Sequence, residues 1–264
     1  MHSKIFETHA HYEDAKFDAD REALIASLPE HDIEYVINVG SSLETTEKSI
    51  ALAEQYDFIY AAVGVHPSDV TELNEENFKA IEQAAEHKKA VAVGEIGLDY
   101  YWDKEPQVQE NQRYWFKRQL ELAKEKDLPV IIHSRDAAED TMQILKETPM
   151  REMPGVIHCY SYSVEMAREF LKMGYDIGVG GVLTFKNAKK LRAVVEEIPL
   201  ERILLETDCP YMAPEPHRGE RNSSLFIPYV VEKIMRTSPG RASLLRMMSQ
   251  AQLAPRRAEF TPLL

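Results

Sequence analysis

AVAVGEIG, residues 90–97, is an apolar, β-branched run that closes on Gly94, Glu95, Ile96 and Gly97. It is too short for a core helix and reads as a strand buried on both faces. Working outward, seven further runs have the same form: apolar at the start, polar or Gly at the end. They are 5–11 (IFETHAH), 35–40 (YVINVG), 59–66 (IYAAVGVH), 129–134 (PVIIHS), 155–160 (GVIHCY), 176–181 (DIGVGG) and 203–208 (ILLETD). Segments of helical periodicity separate them at 43–56, 77–88, 109–126, 137–146, 164–173 and 188–196. Buried strands alternating with amphipathic helices predict a parallel sheet covered by helices. Eight such units predict an α/β fold, a (β/α)8 TIM barrel with its active site at the C-terminal ends of the strands. A doubly wound open sheet is the alternative, because strand count alone does not close a barrel.

Composition agrees with this fold. The chain has 264 residues, 44% apolar and 28% charged, with 11 Gly and 14 Pro, which excludes disordered and collagen-like classes. Residues 1–249 read as one barrel domain, a span close to the ~250 residues such a barrel takes. No apolar run reaches the roughly 18 residues that cross a bilayer, so no membrane association is expected. The N-terminal stretch lacks the apolar core of a leader. Two cysteines, Cys159 and Cys209, make no disulfide framework and point to the cytoplasm.

The net charge is −13. Residues 236–264 hold five Arg against one acid, Glu259, a net of +4 that leaves −17 for residues 1–235. A protein gripping nucleic acid through a basic surface would have the opposite balance. Any anionic substrate must then be met by local positive charge or bound metal. The basic end, residues 250–264, is atypical; Pro255 and Pro262 argue against a long helix there. It is expected to be poorly ordered, through either a genuinely altered terminus or a changed reading frame.

The metal-capable residues fall at strand ends. His9 and His11 close the first run; Glu95, His133 and His158 lie near the ends of the fourth, fifth and sixth, and Asp208 ends the eighth. In a parallel barrel all six project toward one mouth. His9 and His11, two apart, share a strand face and can grip one ion. Six N/O ligands exceed the needs of one tetrahedral ion, whereas two ions sharing a carboxylate would use them all. Glu95 is the natural bridge. Two ions held in this way point to hydrolysis by a metal-acidified water. Asp208 is the candidate base for that water, with a plain ligand role as its alternative. The mixed set accepts Zn, Mn, Co or Ni, and Mg less readily. His2, His31 and His87 lie at a terminus or at helix ends and read as surface residues.

At these residues the chain resembles a known family. FETHAH (6–11), VGVHP (63–67), GEIGLDYY (94–101), PVIIHSRDA (129–137), GVIHCYS (155–161), GGVLTFKNA (180–188) and LLETDCPYMAPEPHRGERN (204–222) are similar to segments of the TatD-related deoxyribonucleases, metal-dependent hydrolases of the amidohydrolase superfamily. The resemblance implies a TIM barrel, two divalent ions (Mg or Mn) and cleavage of DNA phosphodiesters, often as a 3′→5′ exonuclease on single strands. It implies that His9, His11, Glu95 and Asp208 hold one ion and Glu95, His133 and His158 the other. The expected partner is a single-stranded DNA end, met by a monomer. Glu7 stands where the family usually has Asp; it is two residues before His9 and is placed to orient a ligand. The family's acidic C-terminal helix and its Asn-Ala pair are replaced here by the basic tail. A small-molecule amidohydrolase or phosphoesterase on the same barrel is the alternative. Relatives bridged by a modified Lys would need Lys where Glu95 stands.

Around the mouth, Arg135 shares a face with His133 and is a candidate phosphate contact, or a partner of Asp99 or Glu206. His217, Arg218, Arg221 and Asn222 cluster on the loop after the eighth run as candidate nucleotide contacts, and His66 ends the third run. Tyr100, Tyr101, Trp102 and Tyr160 offer faces for stacking an unpaired base or for packing the loops. Cys159, next to His158 on a strand, is expected to point into the helix layer.

Overall fold

The structure is a computed structural model, and it describes residues 4–150 and 154–237. Eight parallel strands follow one another in chain order: β1 Ile5–Ala10, β2 Ile33–Val39, β3 Ile59–Val63, β4 Ala90–Asp99, β5 Val130–Arg135, β6 Gly155–Ile157, β7 Asp176–Val179 and β8 Ile203–Leu205. Each pairs with its neighbour in parallel, with regular register in β2–β3, β5–β6, β6–β7 and β7–β8 and shifts in β1–β2, β3–β4 and β4–β5. The ends of the sheet meet where Ala10 bridges Cys209 and the Asp208 N–H donates to the His9 carbonyl at 2.9 Å. The result is the (β/α)8 barrel, with the open sheet excluded by that junction.

The helices are α1 Arg21–Ser27, α2 Leu43–Gln55, α3 Lys79–Ala84, α4 Pro106–Glu125, α5 Ala138–Glu147, α6 Val164–Lys172, α7 Lys189–Glu197 and α8 Ile227–Thr237. Their starts follow local chemistry. Ser42 and Thr45 form a reciprocal capping box on α2, Ser163 accepts the Met166 N–H to cap α6, and Pro106 opens α4, where no N–H partner is needed. No helix among the described residues is long and apolar enough to cross a membrane.

Two apolar layers hold the barrel. One is built wholly from strand residues, among them Ile37, Ala62, Ala92, Ile131, Val156 and Leu204, and fills the interior below the mouth. The other packs the outer strand faces, such as Val93, Ile132 and Ile177, against Phe116, Leu120, Phe170 and Val194 of the helices. Above the interior layer the inward positions turn from apolar to His and carboxylate, and that change defines the site. The segment around residue 250 onward lies outside the described residues.

Candidate metal centre

Only Glu95 and His133 of the six expected ligands lie within their strands as the ladder defines them, together with His9 of β1. His11 and His158 stand one residue past β1 and β6, and Asp208 three past β8. At these ends the backbone leaves the ladder to aim its side chains. Asp208 has φ of 59° and Cys159 of 44°, the left-handed region that short polar residues tolerate best.

The six converge. His9 Nε2 is 3.0 Å from His11 Nε2, 3.4 Å from Glu95 Oε2 and 3.9 Å from Asp208 Oδ1. His158 Nε2 is 3.9 Å from Glu95 Oε1 and 3.8 Å from Asp208 Oδ1, and its ring stacks on His9 at 3.5 Å. His133 Nδ1 lies 2.8 Å from Glu95 Oε1. His9, Glu95 and His158 are almost fully buried.

The far nitrogens of two histidines are anchored. His11 Nδ1 donates to the Val39 carbonyl at 2.8 Å, and His158 Nδ1 to Glu206 Oε2 at 2.9 Å. Each bond fixes the tautomer that turns Nε2, with its lone pair, into the site. Glu206 is buried, and its other oxygen accepts the Cys159 N–H at 2.8 Å. Gly178 makes room for it: a Cβ there would lie 2.3 Å from Glu206 Oε2. His133 is held on both sides, with Nε2 3.0 Å from Asp99 Oδ2.

Charge follows the contacts. Burial works against an imidazolium at His133, yet the hydrogen bonds to Asp99 and Glu95 outweigh it, and its pKa is pushed up to about 9. His158 likewise rises to about 9, against burial, through Glu206 and the site carboxylates. Burial and the neighbouring His133 drop His66 to about 4. Glu95 is held well below the carboxylate range, since His66 and His9 overcome the cost of burying it.

Buried imidazole and carboxylate groups facing one another are the donor types of divalent metals. Among the described residues, donor atoms lie within 4.8 Å of one another in His9–His11–Asp208, His9–His158–Glu206, His66–Asp99–His133 and His158–Cys159–Asp208. His9 Nδ1 is buried with no hydrogen-bond partner there. The residues fit a metal centre.

Cys159 corrects an expectation. Strand alternation would send it into the helix layer, but β6 ends at Ile157, and the positive φ turns its sulfur toward His158 and Asp208. Glu7 differs in detail. The register of β1 shifts between Glu7 and Ala10, and Glu7 Oε1 accepts the main-chain N–H groups of His9 and Thr207 at 3.1 and 2.9 Å. Its effect on His9 therefore passes through the backbone, and burial pushes its pKa up to about 8.

At the rim the expected contacts divide. His66 stands over the site, its Nε2 3.8 Å from Glu95 Oε1 and its ring edge-on to His133. Arg135 pairs with neither Asp99 nor Glu206; it lies on Tyr101 and Trp102. Tyr160 is buried in the core with its hydroxyl donating to the Ser163 carbonyl, so no face is free to stack a base. Asn222 is also buried, its amide donating to the Thr207 and Tyr211 carbonyls. It staples the loop rather than facing a ligand. Arg221 forms a two-pronged pair with Asp20 at 2.6 Å, His217 stacks on Phe226 and reaches Glu220 and Tyr229, and Arg218 covers Phe185. Tyr100 bonds Asp140 and Arg113. Sequence reasoning missed Asp99 and Glu206 as partners of His133 and His158. For Glu206 the signal was present, since it lies two residues before Asp208.

Comparison with known proteins adds an independent line. The family profile described as TatD related DNase matches residues 6–251. YabD of Bacillus subtilis, named a metal-dependent hydrolase, is 45% identical over 230 residues, 87% of this chain and 89% of that protein. The protein named 3′-5′ ssDNA/RNA exonuclease TatD, from Cronobacter sakazakii, is 34% identical over 83% of this chain and 85% of its own. The crystal structure of YjjV, a TatD homologue of Escherichia coli K12, superposes with a TM-score of 0.88 at 34% identity, covering 97% of this chain and 98% of that one. Motif, barrel and donor set agree with these likenesses along nearly the whole length, and the chain belongs to the TatD-related DNase family of metal-dependent hydrolases.

Proposed function

We propose that the protein removes nucleotides from single-stranded DNA ends, as a 3′→5′ exonuclease, using two divalent ions. The observation that carries this reading is how Glu95 sits. Its Oε2 faces His9 and His11 at 3.4 and 3.9 Å, while Oε1 faces His133 and His158 at 2.8 and 3.9 Å. One carboxylate between two histidine pairs is what a bridging ligand requires. His9, His11, Glu95 and Asp208 would hold one ion, and Glu95, His133 and His158 the other. Mg, Mn or Zn bound there would supply Lewis acidity to a phosphoryl oxygen and lower the pKa of a water.

The chain's own groups do the rest. Asp208 has the most open side chain of the six, 20% exposed, and would take the water proton at Oδ1. Glu206 and the Val39 carbonyl keep His158 and His11 in the orientation that presents Nε2. Arg135 and His66 flank the opening, where they would meet a phosphate. The charge of −13 supports a short footprint on a strand end over a long groove, because only a few phosphates then enter the acidic field. The unpaired thiols suit a cytoplasmic setting.

The test is digestion of an end-labelled single-stranded oligonucleotide by metal-stripped protein with Mg, Mn or Zn restored, beside Asp208→Ala. A one-nucleotide ladder made by the wild type alone is expected, and its direction gives polarity. DNA left intact with every metal, in a protein that still binds two ions, would overturn the reading in favour of a small phosphodiester or amide.

A further inference from the structure

Above the β4–β5 side of the mouth, three side chains stack on one another. The Arg135 guanidinium carbon lies 3.9 Å from the centre of the Tyr101 ring and 5.5 Å from that of Trp102. The two rings meet edge to face at 4.7 Å. Trp102 is 67% exposed and Tyr101 42%. Single exposed aromatics are ordinary, but an adjacent pair capped by a guanidinium is a shaped surface.

Its position is fixed from below. Asp99 Oδ1 accepts the N–H groups of both Tyr101 and Trp102 at 3.0 Å, while Asp99 Oδ2 contacts His133 Nε2. One carboxylate thus registers the aromatic pair against a histidine of the metal centre. Gln112 of α4 secures the loop further, accepting the Asp99 N–H and donating to Asp103 at 2.8 Å.

Arg135 has the charge such a surface needs. Arg113, Arg118, Arg168, Arg202 and Arg221 are all paired with carboxylates, whereas among the described residues no carboxylate lies within salt-bridge reach of Arg135. Held by its face against Tyr101, the guanidinium keeps its edge of N–H donors for an oxyanion.

We propose that Trp102, Tyr101 and Arg135 form a subsite for one unpaired nucleotide, with the base stacked on Trp102 and a phosphate on the edge of Arg135. The subsite rests on the nuclease reading for its ligand and gives the single-strand preference in that reading a physical basis. A base inside a duplex has both faces covered, so only an unpaired base can stack. Stacking is also sequence-tolerant, since every base has a face.

The test uses the full chain with its metal complement and a short single-stranded phosphorothioate oligonucleotide that resists cleavage. The chain has two tryptophans, and Trp115 is 3% exposed, so Trp102 is the surface reporter. Saturable fluorescence quenching by the oligonucleotide is expected, and it should vanish in Trp102→Phe. By anisotropy, Trp102→Ala should bind about tenfold more weakly, and Trp102→Phe should recover most of that loss. An oligonucleotide of the same length without bases should bind the wild type about as weakly as the intact one binds Trp102→Ala. Arg135→Ala should weaken both ligands alike, and unchanged melting would show that these exposed variants fold.

Absence of quenching, or equal wild-type affinity for intact and base-free strands, would overturn the subsite. If metal-restored protein still digests ordinary DNA in that case, the nuclease reading stands without it. If base-dependent binding is found but no metal gives cleavage, the subsite stands and the nuclease reading falls.

Discussion

The Nε2 atoms of His9 and His11 face each other at 3.0 Å, with Asp208 Oδ1 3.5 Å from the latter. Two imidazole nitrogens that close must share either a proton or a cation. His11 already commits Nδ1 to the Val39 carbonyl, so its Nε2 is free to accept. A cation between the rings removes the conflict and adds binding energy to the folded state alone. At a metal concentration a hundredfold above Kd this is about 2.7 kcal/mol. For a chain of this size the melting temperature should rise by about 5–10 °C on adding Mn or Zn to chelator-treated protein. His9→Ala together with His11→Ala should abolish most of that rise; an equal rise in the double variant would refute the assignment.

Glu206 acts on the centre through His158. Glu206→Ala strips the Nδ1 partner from His158 and the acceptor from the Cys159 N–H. Loss of such a supporting carboxylate costs about 10- to 100-fold in metal affinity. Glu206→Gln keeps an oxygen for one of the two donors and should fall between. Isothermal titration with Zn reads the difference, and a Kd unmoved in Glu206→Ala would show that the ring is held by packing alone.

Glu7 ties β1 to the segment that follows β8 by accepting the His9 and Thr207 N–H groups. Glu7→Ala leaves two buried donors without an acceptor, at about 1–3 kcal/mol each, and should lower the melting temperature by several degrees. Glu7→Asp, shorter by one methylene, should lose one of the two bonds and fall between. Because Glu7 touches His9 through the main chain, metal affinity should fall less than tenfold in either variant. A larger loss, measured by the same titration, would mean that the carboxyl reaches the ring.

All eight strands were legible because a parallel strand buried on both faces is written as a continuous apolar run. The runs at 155–160 and 203–208 read longer than β6 and β8, since His158 and Asp208 are carried by backbone that has already left the ladder. That departure also misplaced Cys159, because alternation holds only while the strand does. The periodicity at 77–88 overran α3, a six-residue helix. The helices α1 and α8 were not anticipated: α1 buries only Ile25, and α8 borders a tail set aside for its charge. The six donors were legible as types at strand ends. The rim was not, because Arg221 finds its partner on a segment that only the closed barrel brings near, while His217 and Asn222 are taken up by the fold of their own loop and the helix after it. Asp20 lies about two hundred positions before Arg221.

At the opposite end of the barrel, Arg202 separates stability from chemistry. Its Nε donates to Asp176 Oδ1 at 2.6 Å, and Nη2 to the carbonyls of Gly174 and Tyr175 at 2.7 and 2.9 Å. These bonds join the segment entering β7 to the start of β8, at the strand ends away from the mouth. In such barrels that face supports the fold while the C-terminal face carries the reaction. Arg202→Ala removes three charge-assisted contacts at a site only 30% exposed. It should cost about 1–3 kcal/mol and lower the melting temperature by about 2–10 °C. Arg202→Lys, which keeps the charge but not the fork, should recover only part. Metal affinity and turnover at temperatures below melting should stay at the wild-type level in both. A fall in metal affinity without a fall in melting temperature would show that strain at the base of β7 and β8 reaches Glu206 and Asp208.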